Sequence, residues 1–309
     1  MKLLIAYDGS PGAKIAAKDL LRAGLSERGD ARILTLADVW LPPKPSPDES
    51  LFPDAPIRTD AHDKASEVLR QAKKTAVQGA ELVHQLLLNW NVTNCAKPDS
   101  PAWGILAEAR RWHSDLIVIG SHGRTPLERF FLGSVSFKVA AEALCSVRVV
   151  RPRTKSGNRP LHLMIGIDGS CDSLNAVHQV TQRNWGAGTQ VDLVTVIDPK
   201  LKSAAVRLGT ARNLESVEMS VQKTLEECYN KLTRQELVVQ CHILEGDPKR
   251  ILLQKAAKWN ADCIFLGARG TEHAERLYLG TVASAICTRA HCTVEIVRVS
   301  PAASNAGTF

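Results

Sequence analysis

The sequence is short of several things, and each shortage excludes a class of protein. Aromatic residues make up 5% of its 309 residues and there are 3 methionines. The core must therefore be built from Leu, Val, Ile and Ala. No apolar run approaches the roughly 18–20 residues that a membrane-spanning helix needs. Residues 1–8 are apolar too briefly for a secretory leader and carry no small-residue cleavage site, so the cytoplasm is the expected compartment. None of the 8 cysteines stands in a C-x-x-C pair, which favours free thiols in a reducing compartment over zinc or disulfides. There is no G-x-x-x-x-G-K-[ST] loop, no G-x-S-x-G elbow and no H-E-x-x-H helix. That leaves no motif for the commonest phosphoryl-transfer, acyl-transfer or zinc-hydrolase chemistries.

What remains is an ordinary globular balance, 44% hydrophobic and 23% charged. At about 150 residues per domain the length predicts two domains. The 39 Lys and Arg against 32 Asp and Glu give a net charge of +7, which suits an anionic ligand. No nucleic-acid reading motif accompanies the charge, so nucleic acid is not an expected partner. The densest basic cluster, Arg148, Arg151, Arg153, Lys155 and Arg159, reads as a solvated linker.

The chain repeats itself. Residues 101–151 match 248–298 without gaps at an offset of 147, with 18 of 51 positions identical, where chance gives about three. Pro101/Pro248, Trp112/Trp259, Asp115/Asp262, Gly120/Gly267, Gly123/Gly270 and Gly133/Gly280 are among them. Near the start the offset is 160, where Asp8-Gly9-Ser10 meets Asp168-Gly169-Ser170. A period of this length marks a duplicated domain rather than a solenoid. The boundaries read as a first domain over 1–151, a proline-bracketed polar linker over 152–160, a second domain over 161–299 and a frayed tail over 300–309.

Within each copy short apolar runs alternate with helical patterns. The first gives strands near 2–7, 32–38, 91–96, 115–119 and 147–151, and helices near 11–27, 61–88, 101–113 and 133–144. The second gives strands near 161–167, 190–197, 237–244, 262–266 and 293–299, and helices near 171–184, 211–234, 248–259 and 280–290. Asp115-Leu116-Ile117-Val118-Ile119 is apolar without alternation, as in a strand buried on both faces. This predicts an α/β fold with a parallel sheet covered by helices. Val68, Leu69, Ala72, Ala76 and Val77 read as the core stripe of the long helix. The first copy's extra material, residues 41–59, holds six prolines and reads as a loop at the sheet's carboxyl edge, a surface excursion or a lid.

The candidate site lies in the paired glycines. Gly120-Ser121-His122-Gly123, nine residues, then Gly133-Ser134-Val135 follow a strand and open a helix. The second copy has Gly267-Ala268-Arg269-Gly270, nine residues, then Gly280-Thr281-Val282. Glycine lets the backbone approach a ligand, and a helix N-terminus draws phosphate to its free N–H groups. Asp8 and Asp168 end the first strand of each copy, facing this loop if the strands are neighbours, or serving only as turn residues before a helix. Arg124 and Arg269 are placed either to screen phosphate or to be solvated. Ser136 offers a further hydroxyl that Ala283 lacks.

The pattern G-x2-G-x9-G-[ST] after a strand-one aspartate resembles the universal stress protein (UspA-like) domain, in its ATP-binding subclass. The resemblance covers nearly the whole chain as two tandem domains. It implies five-stranded parallel sheets of order 3-2-1-4-5, and pairing through strand five. It also implies ATP at the strand carboxyl ends, with magnesium able to accompany the phosphates. By the same resemblance Asp8 lies near adenine and ribose, and the Leu36 backbone meets adenine. Gly120 stands by the ribose, and Gly123, Gly133, Ser134 and Val135 hold the phosphates. The second copy's counterparts are Asp168, Val196, Gly267, Gly270, Gly280, Thr281 and Val282. The expected assembly is an intrachain pseudo-dimer through 147–151 and 293–299, with a further homodimer open and any protein partner unspecified. The expected function is that of a nucleotide-dependent stress sensor. A nucleotide-free scaffold and a slow ATPase are the alternatives.

Overall fold

The computed structural model describes residues 1–39, 56–123, 132–152, 159–199, 211–270 and 279–299, and only the course of the chain over 56–62 and 211–218. In chain order the first half runs β1 (Lys2–Ala6), α1 (Pro11–Asp19), β2 (Asp30–Ala37), α2 (Pro56–Leu86), β3 (Asn91–Pro98), α3 (Pro101–Trp112), β4 (Leu116–Gly120), α4 (Ser134–Glu142) and β5 (Ser146–Val150). The second runs β6 (His162–Gly166), α5 (Cys171–Thr181), β7 (Gln190–Ile197), α6 (Ala211–Thr233), β8 (Val238–Glu245), α7 (Pro248–Lys258), β9 (Cys263–Gly267), α8 (Thr281–Arg289) and β10 (Thr293–Val297).

Local chemistry explains where the helices start. Pro11, Pro101 and Pro248 open α1, α3 and α7, where the missing N–H costs nothing. Ser10, Ser170 and Asp247 cap α1, α5 and α7 by accepting from first-turn N–H groups. The same tolerance corrects one expectation. Pro56 opens α2 and is not part of a loop, while the rest of the proline segment, 41–55, lies outside the described residues, as do 153–158 of the linker and the tail.

Among the described residues ten strands form one sheet of order β3-β2-β1-β4-β5-β10-β9-β6-β7-β8. Each half is thus 3-2-1-4-5, and every pairing is parallel except β5 with β10, which is antiparallel. Both strand-five edges are used inside the chain. The seam is held at its ends by a reciprocal pair of arginines from matching positions of the repeat. The Arg151 Nη2 donates to the Cys287 and Thr288 carbonyls (2.5 and 3.1 Å), and the Arg298 Nη2 to those of Ala140 and Ala141 (2.6 and 3.1 Å). Each guanidinium thereby closes the last carbonyls of the other half's final helix.

The two faces of the sheet are built differently. On the face of α3, α4, α7 and α8 one apolar core runs across the seam, from Leu4 and Ile117 through Val147 and Val149 to Val294, Ile296 and Ile264. On the opposite face there are two cores. One lies under α1 and α2 around Leu3, Ile5 and Ile33, the other under α5 and α6 around Leu163, Ile165 and Phe265. Arg148 and Glu295 lie between these two, buried to 1% and 0% exposure.

Two expectations fail here. Arg148 and Arg151 do not belong to a solvated linker: they are 1% and 3% exposed and bound across the seam. A basic residue alternating with valines on a strand points into the sheet's covering layer, whatever the linker beyond it does. The stripe of α2 is as expected at Ala72 and Ala76 but not at the valines. Val68 and Val77 are 44% and 45% exposed, and the helix is seated on Ala65, Ala72, Ala76 and Val83. Small side chains let it lie close to the sheet, and its 31 residues outrun the eight-residue strands beneath it.

Candidate functional site

The rim above β1 and β4 is built from a turn, a loop and a helix end. In each half β1 or β6 connects outward to one side and β4 or β9 to the other, so the crevice opens between them. Tyr7 still belongs to the sheet: its N–H donates to the Leu34 carbonyl (2.9 Å) and its own carbonyl accepts from the Thr35 hydroxyl (2.6 Å). Burial, and next the Asp8 charge, push its phenol above the ordinary range. Asp8 is the first residue beyond. Its Oδ1 accepts from the Ser10 N–H at 2.9 Å, a turn that Gly9 completes with φ +79°. Its Oδ2 faces Gly123, where a Cβ would stand 3.1 Å away. The second half repeats the arrangement. Asp168 Oδ1 accepts from the Ser170 N–H and hydroxyl (3.0 and 2.6 Å), and Oδ2 lies 2.9 Å from a Cβ placed on Gly270.

The glycine loop is tied at both ends. The Ser121 N–H donates to the Val150 carbonyl and the Gly133 N–H to the Ser121 carbonyl, both at 2.8 Å. The Ala268 to Val297 and Gly280 to Ala268 bonds have the same length. The excursion therefore returns to its origin and launches α4 or α8 beside the first glycine pair. Gly133 and Gly280 hold the cap positions, and neither helix has a side-chain cap. Their first-turn N–H groups face the rim with the positive end of the helix dipole behind them. Ser134 and Thr281 are exposed, while Val135 and Val282 are half-buried against the shared core. Extending the β1·β2 register by two residues sets Leu36 level with Asp8, and β6·β7 does the same for Val196 and Asp168. Their side chains pack into the shared core, so only backbone is offered at the rim.

The fold thus gathers Asp8, Leu36, Gly120, Gly123, Gly133, Ser134 and Val135 at one carboxyl edge, and Asp168, Val196, Gly267, Gly270, Gly280, Thr281 and Val282 at the other. Such an edge can hold an anion on main-chain amides and accept a hydroxyl or amine on a carboxylate. Ser136 does not extend it. Its hydroxyl is buried and donates to the Gly120 carbonyl at 2.7 Å, satisfying the strand end. Arg269 is neither solvated nor poised over the loop. Its Nε and Nη2 grip Asp172 at 2.9 and 3.1 Å, and its own N–H donates to the same carboxylate at 3.2 Å. Arg124 lies outside the described residues.

Sequence reasoning missed Asp172, whose counterpart is Gly12. A Cβ on Gly12 would stand 2.2 Å from the His122 carbonyl oxygen, so the first loop presses down onto α1. At Asp172 the same approach is replaced by a carboxylate that holds the loop through Arg269. The signal was present as a glycine-to-acid exchange one turn-length after the Asp-Gly-Ser motif. Among the described residues no cluster of three His, Cys, Asp or Glu side chains could hold a metal ion, and no helix is long and apolar enough to cross a membrane.

The model of the Universal stress protein family matches the chain twice, over 1–151 and 161–298. The chain is similar to a universal stress protein of Thermus aquaticus, 36% identical over 48% of this chain and 97% of that protein. It is also similar to one of Methanocaldococcus jannaschii, 30% identical over 50% of this chain and 84% of that protein. Among solved structures, a universal stress protein of Archaeoglobus fulgidus shares the fold over 97% of both chains, with a TM-score of 0.59 at 18% identity.

Proposed function

Because the chain belongs to the universal stress protein family, we propose that it binds ATP at the first rim and more weakly at the second, and acts in the cytoplasm as a nucleotide-dependent stress-response regulator. One observation carries the reading: the Asp8 Oδ2 stands against a side-chain-free position, Gly123, beside a helix start without a side-chain cap. Asp8 would accept from the ribose or adenine. The Gly123, Gly133, Ser134 and Val135 amides would hold the phosphates, with the Ser134 hydroxyl as an extra donor. Leu36 would offer its backbone to the base, and Gly120 would let the ribose approach. Asp168, Val196, Gly267, Gly270, Gly280, Thr281 and Val282 would do the same in the second half. Magnesium would travel with the phosphates, which supply most of its oxygen ligands.

Calorimetric titration of the whole chain with ATP tests this. The expected dissociation constant is on the order of micromolar, about −8 kcal/mol. Gly123→Val fills the phosphate space and is expected to weaken the first site about a hundredfold; Ser134→Ala removes one donor and is expected to cost about tenfold. Equal affinity in the parent and Gly123→Val would reject the assignment.

A further inference from the structure

The seam between the halves has a centre, and that centre is charged. The antiparallel register sets Arg148 of β5 opposite Glu295 of β10, with Val149 opposite Val294 and Val147 opposite Ile296 on either side. Residues 148 and 295 differ by 147, the offset of the repeat, so each is the other's counterpart and the local two-fold axis passes between them. The strand ladder on either side is nearly blind to which half it meets. The ladder is backbone, the flanking residues are valine and isoleucine, and Arg151 and Arg298 are identical and make reciprocal bonds. Among the paired strand positions only the central one has diverged in charge, into opposite signs; the ion pair of Arg22 with Asp262 also crosses the halves but lies outside the paired strands.

The divergence extends outward. Arg148 Nε donates to Asp19 of α1 at 2.8 Å and its Nη1 to Glu295 at 2.9 Å. Glu295 accepts in turn from both terminal nitrogens of Arg183, whose Nη1 also donates to the Ala23 carbonyl at 3.1 Å. The row reads acid, base, acid, base across the axis, and its two central members are fully buried. Pairing two first halves would set Arg148 against a second Arg148. Pairing two second halves would set Glu295 against a second Glu295. Like charges facing each other without water are strongly disfavoured, whereas the opposite pair satisfies both groups. The geometry points to Arg148 and Glu295 as the residues that select which strand edges join: the β5 edge accepts the β10 edge of this sequence and rejects the β5 edge of a second copy. A homodimer of this protein would then use some surface other than strand five.

The test compares charge patterns at the seam of the full-length chain by hydrogen exchange. Amides of β5 and β10 report on the seam; those of β1 and β6 report on each half. Glu295→Arg recreates the centre of two first halves and Arg148→Glu that of two second halves. Each is expected to speed exchange at β5 and β10 by about a hundredfold while β1 and β6 stay protected. The double variant Arg148→Gln/Glu295→Gln sets two neutral amides face to face but takes from Asp19 and Arg183 their ionic partners, and its loss is expected to be smaller than that of either reversal. If the reversals exchange at the seam no faster than the double glutamine variant, charge does not choose the partner and the inference falls. If a reversal also unfolds β1 or β6, the decision passes to the single glutamine variants. Each breaks the Arg148–Glu295 pair while Arg183 or Asp19 still holds the charge that remains, so the two single losses must sum to more than that of the double; singles whose losses simply add to that of the double overturn the inference.

Discussion

The two halves share a backbone plan and differ in the charges laid on it. Beneath the amino-terminal edge, Arg32 in the first half donates to Glu108 at 2.8 Å and lies over the Trp112 ring at 4.5 Å. At the matching positions the second half has Asp192, Lys255 and Trp259. There Asp192 accepts from His162 and His242 (2.5 and 3.0 Å), and the His242 ring lies against Trp259. At the carboxyl-terminal rim Gly12 and His122 become Asp172 and Arg269. What has been kept is what backbone geometry demands: the Asp-Gly-Ser turn and the three loop glycines. What has changed sign is what only needs a partner. A buried charge is tolerated for its complement rather than its identity, so a duplicated chain can invert a pair while leaving its fold intact.

The largest way to break this comparison is at Glu108. It is buried with three cations, Arg32, Lys97 and Arg111. Burial alone would raise its pKa, but hydrogen bonds from Arg111, Lys97 and Arg32 win and hold the carboxyl down at about 2. Its contribution is therefore complete above the ordinary carboxylate range and fades as pH falls from about 4.5 towards 2. Glu108→Gln leaves three cations facing a neutral amide and is expected to cost about 3 kcal/mol at neutral pH, read from urea unfolding. The difference from the parent should shrink as the titration is moved to pH 2. A constant difference across that range would place the effect in packing and not in charge.

Next in size is the asymmetry of the rims. Gly123→Val is expected to remove the tighter of two ATP-binding steps. Gly270→Val should leave that step unchanged and abolish the weaker one, a loss of about tenfold or more at that site. Two titrations on the full chain decide the matter, and inverted outcomes would exchange the ranking of the halves.

Much of this is legible in the order of residues alone. The strands and the paired glycine loops follow from apolar runs without alternation and from glycine spacing, because these patterns reflect local geometry, whereas the strand order follows from the family resemblance. The burial of Arg148 and Arg151 is not, since a strand five residues long cannot show whether its polar members face solvent or a neighbouring half-sheet. The stripe of α2 is legible at Ala72 and Ala76 but not at Val68 and Val77, because valine at helical spacing looks like core while close approach favours the smaller residue. The Asp172 grip on Arg269 shows in the sequence only as an acid in the place of Gly12, because the two partners lie 97 residues apart and the fold alone brings them together.

A smaller effect sharpens the rim comparison further. Asp172 takes up the charge of Arg269 that the loop would otherwise offer to an anion. Asp172→Ala frees the guanidinium, and the second site is expected to gain about tenfold in affinity for ATP at low salt, with the gain shrinking as salt is raised. A titration series at two ionic strengths checks both parts, and unchanged or weaker binding would mean that Arg269 serves the loop's shape alone.

The smallest effect separates the halves by pH, with the opposite sign from Glu108. The hydrogen bond to Asp192 raises the His162 pKa above 6.5, against the opposing pull of burial and of Arg159. A raised pKa means that the stabilisation is complete below about 6.5 and is lost as pH climbs through the folded-state value. His242 on β8, the other donor to Asp192, and Asp262, which accepts from the His162 N–H at 3.0 Å, complete the charged surroundings. Going from pH 6 to pH 9 should therefore loosen β6 and β7 in hydrogen exchange, after correction for the intrinsic rate, by under about 1 kcal/mol, and leave β1 and β2 as they were. His162→Gln should flatten the slope in the second half only. An equal slope in both halves would show that the ionisable pairs beneath the two tryptophans do not titrate independently, and the inversion of charge between the halves would then carry no consequence for their stability.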